Sequence, residues 1–445
     1  MPLLKTITLG CKVNQYETEY LREGLGRLGY RDARDGEAAD LCIVNTCTVT
    51  VEGEAKSRKL IRQLARQNPQ AEIVVMGCYA TRAREAVAAL AGVAEVIADK
   101  RQLPDWLARR GLVDVPTGIS TFGPRHRAYV KVQDGCSMEC SYCIIPRVRP
   151  VLWSRPLGEI LDEISRLVAA GHREIVLTGI HLGHYGIDRD GGENLAGLLR
   201  RIVGRPGEFR VRLSSLEAAE LTDELVAAVA EHPDRVCPHL HVSMQSGSNA
   251  VLRRMRRRWP AERLIERLDA VRAALDRPAL TTDVIVGFPG ETDEDFRATC
   301  RAVEAVGFSK LHIFRFSPRQ GTEAAEMPDR VPGAVQQDRA AQLAQLGNRL
   351  RQAYFEGLAG RRLQVLVERC VAAEQIRLLP TARHCCDGGR GNVATPSEEV
   401  LVGMSDRYAP VELAGGPEQI GRLVWVVAGR VAAGRILAQD RPIAV

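Results

Sequence analysis

Cys136, Cys140 and Cys143 stand in one short stretch, Gly135-Cys136-Ser137-Met138-Glu139-Cys140-Ser141-Tyr142-Cys143. Three thiolates this close can hold three irons of a four-iron cluster. The fourth iron is then open to a substrate or cofactor, which full ligation by protein would prevent. A structural zinc ion is the competing occupant, and it wants four protein ligands, commonly as two paired motifs. No fourth Cys or His stands nearby in sequence; the nearest upstream, His126, precedes Cys136 by ten residues. The spacing favours iron–sulfur chemistry over structural zinc.

Three further cysteines share a different regularity. Cys11, Cys47 and Cys78 each follow a short apolar run: Leu4–Gly10, Asp40–Thr46 and Glu72–Gly77. If those runs are parallel strands, their carboxyl ends form the ligand-binding edge of a sheet. Thiols separated by 36 and 31 residues would then converge. The alternative is three separate buried cysteines, packed as small hydrophobes.

The elements needed to position both sets are legible. Residues 1–120 alternate strands with helical patterns at Tyr16–Leu28, Gly53–Gln67 and Ala80–Leu90, with a weaker strand at Ala94–Ala98. Such alternation predicts a parallel sheet covered by helices. Thr117-Gly118 and Gly123-Pro124 mark a linker. Residues 121–357 repeat the alternation, with strands at Ala128–Gln133, Glu174–Thr178, Phe209–Ser214, His239–Met244, Leu280–Gly287 and Lys310–Phe316. Six parallel strands with crossover helices predict a partial (β/α)6 barrel, whose chemistry sits at the carboxyl ends of its strands. The Cys136 stretch follows such an end. Residues 358–445 predict a small β barrel from Gln364–Glu368, Glu399–Leu401, Ala409–Leu413 and Gly421–Ala428. That shape often binds nucleic acid. Residues 371–397 read as an irregular insertion.

Twelve cysteines without a secretory leader point to metal ligation or catalysis in a reducing compartment. No apolar run approaches the roughly 18 residues of a membrane span, and Met1–Gly10 reads as a first strand. A cytoplasmic location and no membrane partner are expected. The net charge of +6 is compatible with a polyanion but weak evidence for one. Arginine makes up 54 of the 61 basic residues, which suits phosphate contacts but equally fits a compositional bias.

The Cys136 stretch, with an aromatic before its last cysteine, resembles the signature of radical S-adenosylmethionine (SAM) enzymes. In that family the open iron binds SAM, and one electron cleaves it to a radical that abstracts hydrogen. Residues Gly179, Gln245, Ser246, Asp283 and Gly287, at strand ends by the same resemblance, are its candidate cofactor contacts. Ordinary loops of an α/β fold would look similar. Leu9-Gly10-Cys11-Lys12-Val13-Asn14-Gln15-Tyr16-Glu17, Asn45-Thr46-Cys47-Thr48-Val49-Thr50, Gly77-Cys78-Tyr79-Ala80, Cys143-Ile144-Ile145-Pro146 and Arg212-Leu213-Ser214-Ser215-Leu216-Glu217 further resemble the methylthiotransferases.

That resemblance covers essentially the whole chain. It implies two 4Fe-4S clusters, the second held by Cys11, Cys47 and Cys78 and carrying the inserted sulfur. It implies radical removal of hydrogen from carbon 2 of an adenine in tRNA, and methylation of the sulfur by another SAM. It also implies a C-terminal domain of the TRAM type that grips tRNA, and sulfur and electron donors that the sequence does not identify. The words around Cys11, Cys47 and His239-Leu240-His241 resemble most the members that modify threonylcarbamoyladenosine at position 37, next to the anticodon. Isopentenyladenosine tRNA and a ribosomal-protein aspartate are the other substrate classes. A zinc-stabilised RNA-binding protein without catalysis is the reading from outside the family.

The chain departs from the family pattern at Arg147-Val148-Arg149-Pro150-Val151-Leu152-Trp153-Ser154-Arg155. Pro150 replaces the expected Gly and fixes φ where Gly is free. Cys42, Cys237 and Cys300 read as packing residues, and Cys370 as the end of a strand. Cys385-Cys386 is a vicinal pair without metal spacing. The run Arg253–Trp259 fits either phosphate contacts or a solvated helix face. For His181, His184 and His241 a core role is at least as well supported as catalysis.

Overall fold

The computed structural model describes residues 1–191, 193–372, 399–439 and 443–444. Its first five strands are β1 (Leu3–Thr8), β2 (Arg31–Asp32), β3 (Leu41–Thr46), β4 (Glu72–Gly77) and β5 (Val93–Ile97). They form one parallel sheet in the order β2-β1-β3-β4-β5. Central β3 is buried at every residue. Leu41 and Ile43 face one hydrophobic core while Cys42 and Val44 face another. A strand covered on both faces needs such a continuous apolar run. The short edge strand β2 is exposed; its Arg-Asp sequence gives no apolar signal, so it escapes the sequence reading.

The barrel strands are β6 (Arg127–Lys131), β7 (Gln133–Asp134), β8 (Trp153–Ser154), β9 (Glu174–Thr178), β10 (Arg210–Leu213), β11 (Ser215–Leu216), β12 (His239–Val242), β13 (Ala279–Val286) and β14 (Lys310–Arg315). β6, β9 and β10 pair in parallel, as do β11 to β14. β10 and β11 are one chain path interrupted at Ser214. The barrel therefore has six parallel positions, in line with the expected partial barrel. β7 and β8 add a short antiparallel clip just beyond β6.

Helix Lys12–Arg27 docks the first sheet onto the barrel. The Tyr16 hydroxyl donates to Glu163 at 3.0 Å, and that of Tyr20 to the Pro116 carbonyl at 2.9 Å. Leu4, Leu21 and Leu25 share one core with Ile160 and Leu167 of the barrel. The residues read as a linker are packed in as well: the Ile119 amide donates to Glu163 at 2.7 Å. This docking sets where the two cysteine sets stand relative to each other.

The last strands are β15 (Arg362–Ala372), β16 (Glu399–Ser405), β17 (Pro410–Leu413), β18 (Leu423–Ala432), β19 (Arg435–Ala438) and β20 (Ile443–Ala444). β15 pairs with both β16 and β18, so the path β15-β16-β17-β19-β18 closes on itself. Val365, Val367, Val411, Val424 and Ile436 fill its interior. Closure removes the exposed edges that an open sheet would present. Val371 and Ala372 continue β15 rather than beginning an irregular insertion; residues 373–397, including Cys385 and Cys386, lie outside the described residues. Among the described residues no helix is long and apolar enough to cross a membrane.

Candidate active site

Cys11, Cys47 and Cys78 follow β1, β3 and β4 at one edge of the sheet. Two glycines permit the close approach. A Cβ on Gly77, at φ +96°, would lie 2.3 Å from the Thr46 carbonyl; on Gly10, at φ +104°, it would lie 3.3 Å from the Cys47 sulfur. A side chain at Gly77 would clash with the neighbouring strand end and one at Gly10 would crowd Cys47, and both sit at a φ that favours glycine. Asn14 ties the edge together, donating to the carbonyls of Leu9 at 2.9 Å and Thr46 at 3.1 Å. Its own carbonyl oxygen accepts from the Cys11 thiol at 3.6 Å.

Cys136, Cys140 and Cys143 occupy the loop beyond β7. Ser141 anchors it: its hydroxyl donates to the Arg254 carbonyl at 2.7 Å and its amide to that of Met255 at 3.2 Å. The Cys143 amide donates to the Cys140 carbonyl at 3.0 Å, and the Met138 amide to the Cys136 sulfur at 3.4 Å. The Arg257 guanidinium lies 3.7 Å from the Cys140 sulfur and forms a two-point ion pair with Glu217. Burial pushes the Cys143 thiol up to about 12 and raises Cys140. Crowding protein likewise raises the accessible Cys11 to about 11. Metals take the thiolate, so ligation at these residues must release protons.

One buried guanidinium joins the two sets. Arg149 pairs with Glu17 at 2.7 Å and with Asp134 at 2.9 Å. It donates to Asn14 at 3.1 Å, and its Nε lies 3.5 Å from the Cys78 sulfur. Its carbonyl accepts from the Cys136 amide at 3.3 Å. Lys131 completes the group, 3.0 Å from Glu17 and 2.5 Å from Asp134. Two cations balance two carboxylates, as buried charge requires. Burial alone would raise Glu17, but Arg149 and Lys131 outweigh it and hold the carboxyl below its usual range. Pro150, the departure from the family pattern, directly follows Arg149 and leaves this network intact.

His181 reaches the Cys136 set from another strand end. Its Nδ1 lies 3.5 Å from the Cys136 sulfur and its Nε2 bonds Glu220, with His184 stacked on its ring. Burial lowers its pKa, but the bonds to Cys136 and Glu220 dominate and raise it to about 9. His181, His184 and Glu220 are spaced closely enough to hold a metal ion. Sequence proximity misses this imidazole because it arrives from the end of β9, 45 residues away.

The other candidate contacts separate. Ser246 lines a cavity beside Cys136 with Met138, His181, Glu217, Arg257 and Trp259; Gly179, Gln245, Asp283 and Gly287 do not line it. Gly179 backs onto Gln133. Gln245 holds a strained φ of +68° and bridges to Val284. The Gly287 amide donates to Glu291 at 2.6 Å. Asp283 lies within β13 rather than at its end, 3.3 Å from the His241 ring. The Arg253–Trp259 run is divided: Met255 is buried, Arg254 bonds the Gly290 carbonyl and Arg257 pairs with Glu217, while Arg253, Arg256, Arg258 and Trp259 are exposed. Cys42 and Cys237 are buried as packing residues, and Cys300 is half-buried on helix Asp293–Val306.

The sequence profile of the radical SAM superfamily matches residues 130–303, and that of the uncharacterized protein family UPF0004 matches residues 4–99. The threonylcarbamoyladenosine tRNA methylthiotransferase MtaB of Bacillus subtilis is 37% identical over 437 residues, 94% of this chain and 92% of that protein. The chain belongs to the radical SAM methylthiotransferase family. Members of this family use SAM and 4Fe-4S clusters. A tRNA-2-methylthio-N(6)-dimethylallyladenosine synthase of Corynebacterium urealyticum is 36% identical over 425 residues, 89% of this chain and 78% of that protein. Among solved structures, the radical SAM methyltransferase TsrM of Kitasatospora setae has a TM-score of 0.54 over 73% of this chain and 77% of that one. At 16% identity it shares the fold.

Proposed function

We propose that this methylthiotransferase acts on tRNA, at carbon 2 of N6-threonylcarbamoyladenosine beside the anticodon. The pair of cysteine triads bridged by Arg149 carries the sulfur-insertion part of this reading, and the 37% identity over 94% of the chain to a threonylcarbamoyladenosine tRNA methylthiotransferase supports the substrate. A radical enzyme that only abstracts hydrogen needs one cluster; inserting sulfur needs a second group close to the first.

The residues fit the groups the family uses. Each triad offers three cysteines and leaves one coordination position for a non-protein ligand. Bound there, two clusters and SAM would supply the radical chemistry, the sulfur and the methyl group, while the protein binds and orients. Arg257 and Glu217, of opposite charge beside Cys140, would hold the carboxylate and ammonium of SAM's methionine part. Met138, Trp259 and Leu264 wall that cavity with apolar surface and exclude water. The Arg149 network touches both triads and would hold them in place for a base set between them. The C-terminal barrel would grip the tRNA by shape and phosphate contacts, as RNA binders generally do.

The test is direct. Purified protein carrying both clusters, with SAM, a reductant and a sulfide source, should convert threonylcarbamoyladenosine in tRNA to its 2-methylthio form, read by nucleoside mass spectrometry. Conversion of isopentenyladenosine instead would overturn the substrate, and cleavage of SAM with no sulfur incorporated would overturn the reaction.

A further inference from the structure

The barrel interior holds polar groups that the cluster chemistry does not use. The Nε2 of His241 lies 3.3 Å from Asp283 and its Nδ1 is 3.0 Å from the Thr281 hydroxyl. His312, paired in register with Asp283, sets its ring edge-on to His241 with centroids 5.4 Å apart. Alternation along a strand puts His239 on the same face of β12 as His241. Both His239 and Ser214, at the break between β10 and β11, are buried with an unpartnered polar atom, Nδ1 and Oγ respectively.

Lys12 enters this space from the other side. It is the first residue of helix Lys12–Arg27 and directly follows Cys11. Its ammonium lies within electrostatic range of Arg212, Arg127 and Asp283, and is felt by His239 and His312. Among the described residues it makes no hydrogen bond and no ion pair. Burial lowers the pKa of His312 to about 4. At the floor, Arg127, Arg210 and Arg212 share Glu174, and Arg127 also pairs with Glu368 at 3.4 Å. The Lys12 ammonium is the cation of this group without an ion pair among the described residues.

We infer that Lys12, with His241 and His312 as neighbouring hydrogen-bonding groups, receives the carboxylate of the threonylcarbamoyl substituent and so selects this substrate over adenosines with an apolar N6 group. The inference rests on the tRNA reading above and names the residues that make its substrate choice. The geometry of the base supports it. The N6 substituent leaves the ring at carbon 6, two bonds from carbon 2, so the group that recognises it must lie close to the sulfur site. Lys12 is the immediate neighbour of Cys11. The threonylcarbamoyl group carries a carboxylate and a hydroxyl. A dimethylallyl group carries no polar atom, and would desolvate the ammonium with nothing to replace its water. A site built to pair a polar group rejects analogues that lack it more strongly than an apolar pocket rejects extra atoms.

Equilibrium binding of anticodon stem-loop RNAs to the full chain tests this without relying on turnover. The wild type is expected to bind the threonylcarbamoyladenosine hairpin about tenfold to a hundredfold more tightly than the unmodified one, the range of a charge-assisted hydrogen bond. A hairpin whose threonyl carboxylate is converted to an amide should bind like the unmodified RNA. In Lys12→Met and Lys12→Gln the preference should vanish, while binding of the unmodified hairpin stays at the wild-type level. Retained preference in both variants, equal loss of all hairpins, or wild-type binding of the amide as tight as the acid would overturn the inference. A wild type that binds none of the hairpins would instead sink the tRNA reading itself.

Discussion

Replacing any one of Cys136, Cys140 or Cys143 by Ala should abolish SAM cleavage, reducing 5′-deoxyadenosine to background. Two thiolates cannot hold a cluster of this type with one iron open. Iron should fall from about eight to about four per chain, because the other triad is untouched. Replacing Cys11, Cys47 or Cys78 should give the same halving of iron and a different loss: SAM is still cleaved, but no sulfur enters the RNA. The contrast separates this account from a zinc-stabilised RNA-binding protein, which would contain zinc and cleave no SAM. It is also informative about His181, whose Nδ1 lies 3.5 Å from the Cys136 sulfur. If His181 were a fourth ligand, each single cysteine variant could keep part of its cluster and part of its cleavage.

Arg149→Met should cost about 3–5 kcal/mol of stability, the usual loss when one partner of a buried ion pair is removed. Glu17 and Asp134 would then share Lys131 alone. Differential scanning fluorimetry should show an earlier unfolding transition. Its second effect is more specific. The guanidinium touches Asn14 and Cys78 on one side and Asp134 on the other, so its loss should loosen the spacing of the triads. The ratio of 5′-deoxyadenosine to methylthiolated product should rise at least about tenfold, the effect of a sub-ångström misplacement of reacting groups. Arg149→Lys keeps the charge but not the planar fork, and should restore stability better than it restores the ratio. An unchanged ratio in a destabilised Arg149→Met protein would reduce the residue to a structural role.

The cysteines were legible because two simple patterns marked them: tight spacing for one set, strand-end placement for the other. The parallel sheet, the six-position barrel and the small terminal β domain followed from hydrophobic alternation; the strand order did not. The charge network was not legible. Glu17 stands 114 residues before Lys131 and 132 before Arg149, and a buried ion pair looks in sequence like any surface charge. Asp283 shows a second limit. Its neighbourhood to Gly287 suggested a strand end, but β13 continues to Val286, which leaves Asp283 inside the barrel and paired with His241. Lys12 drew attention only as a letter in a family word. Its meaning depends on the docking of helix Lys12–Arg27 against the barrel, a long-range contact that periodicity does not report.

The central claim is that this chain adds a methylthio group to threonylcarbamoyladenosine in tRNA. Nucleoside mass spectrometry of total tRNA from a strain lacking the gene tests it most directly. The account predicts that 2-methylthio-threonylcarbamoyladenosine disappears, its unmethylthiolated precursor accumulates, and the methylthio form of isopentenyladenosine is unchanged. Persistence of the first nucleoside, or loss of the last, would contradict it.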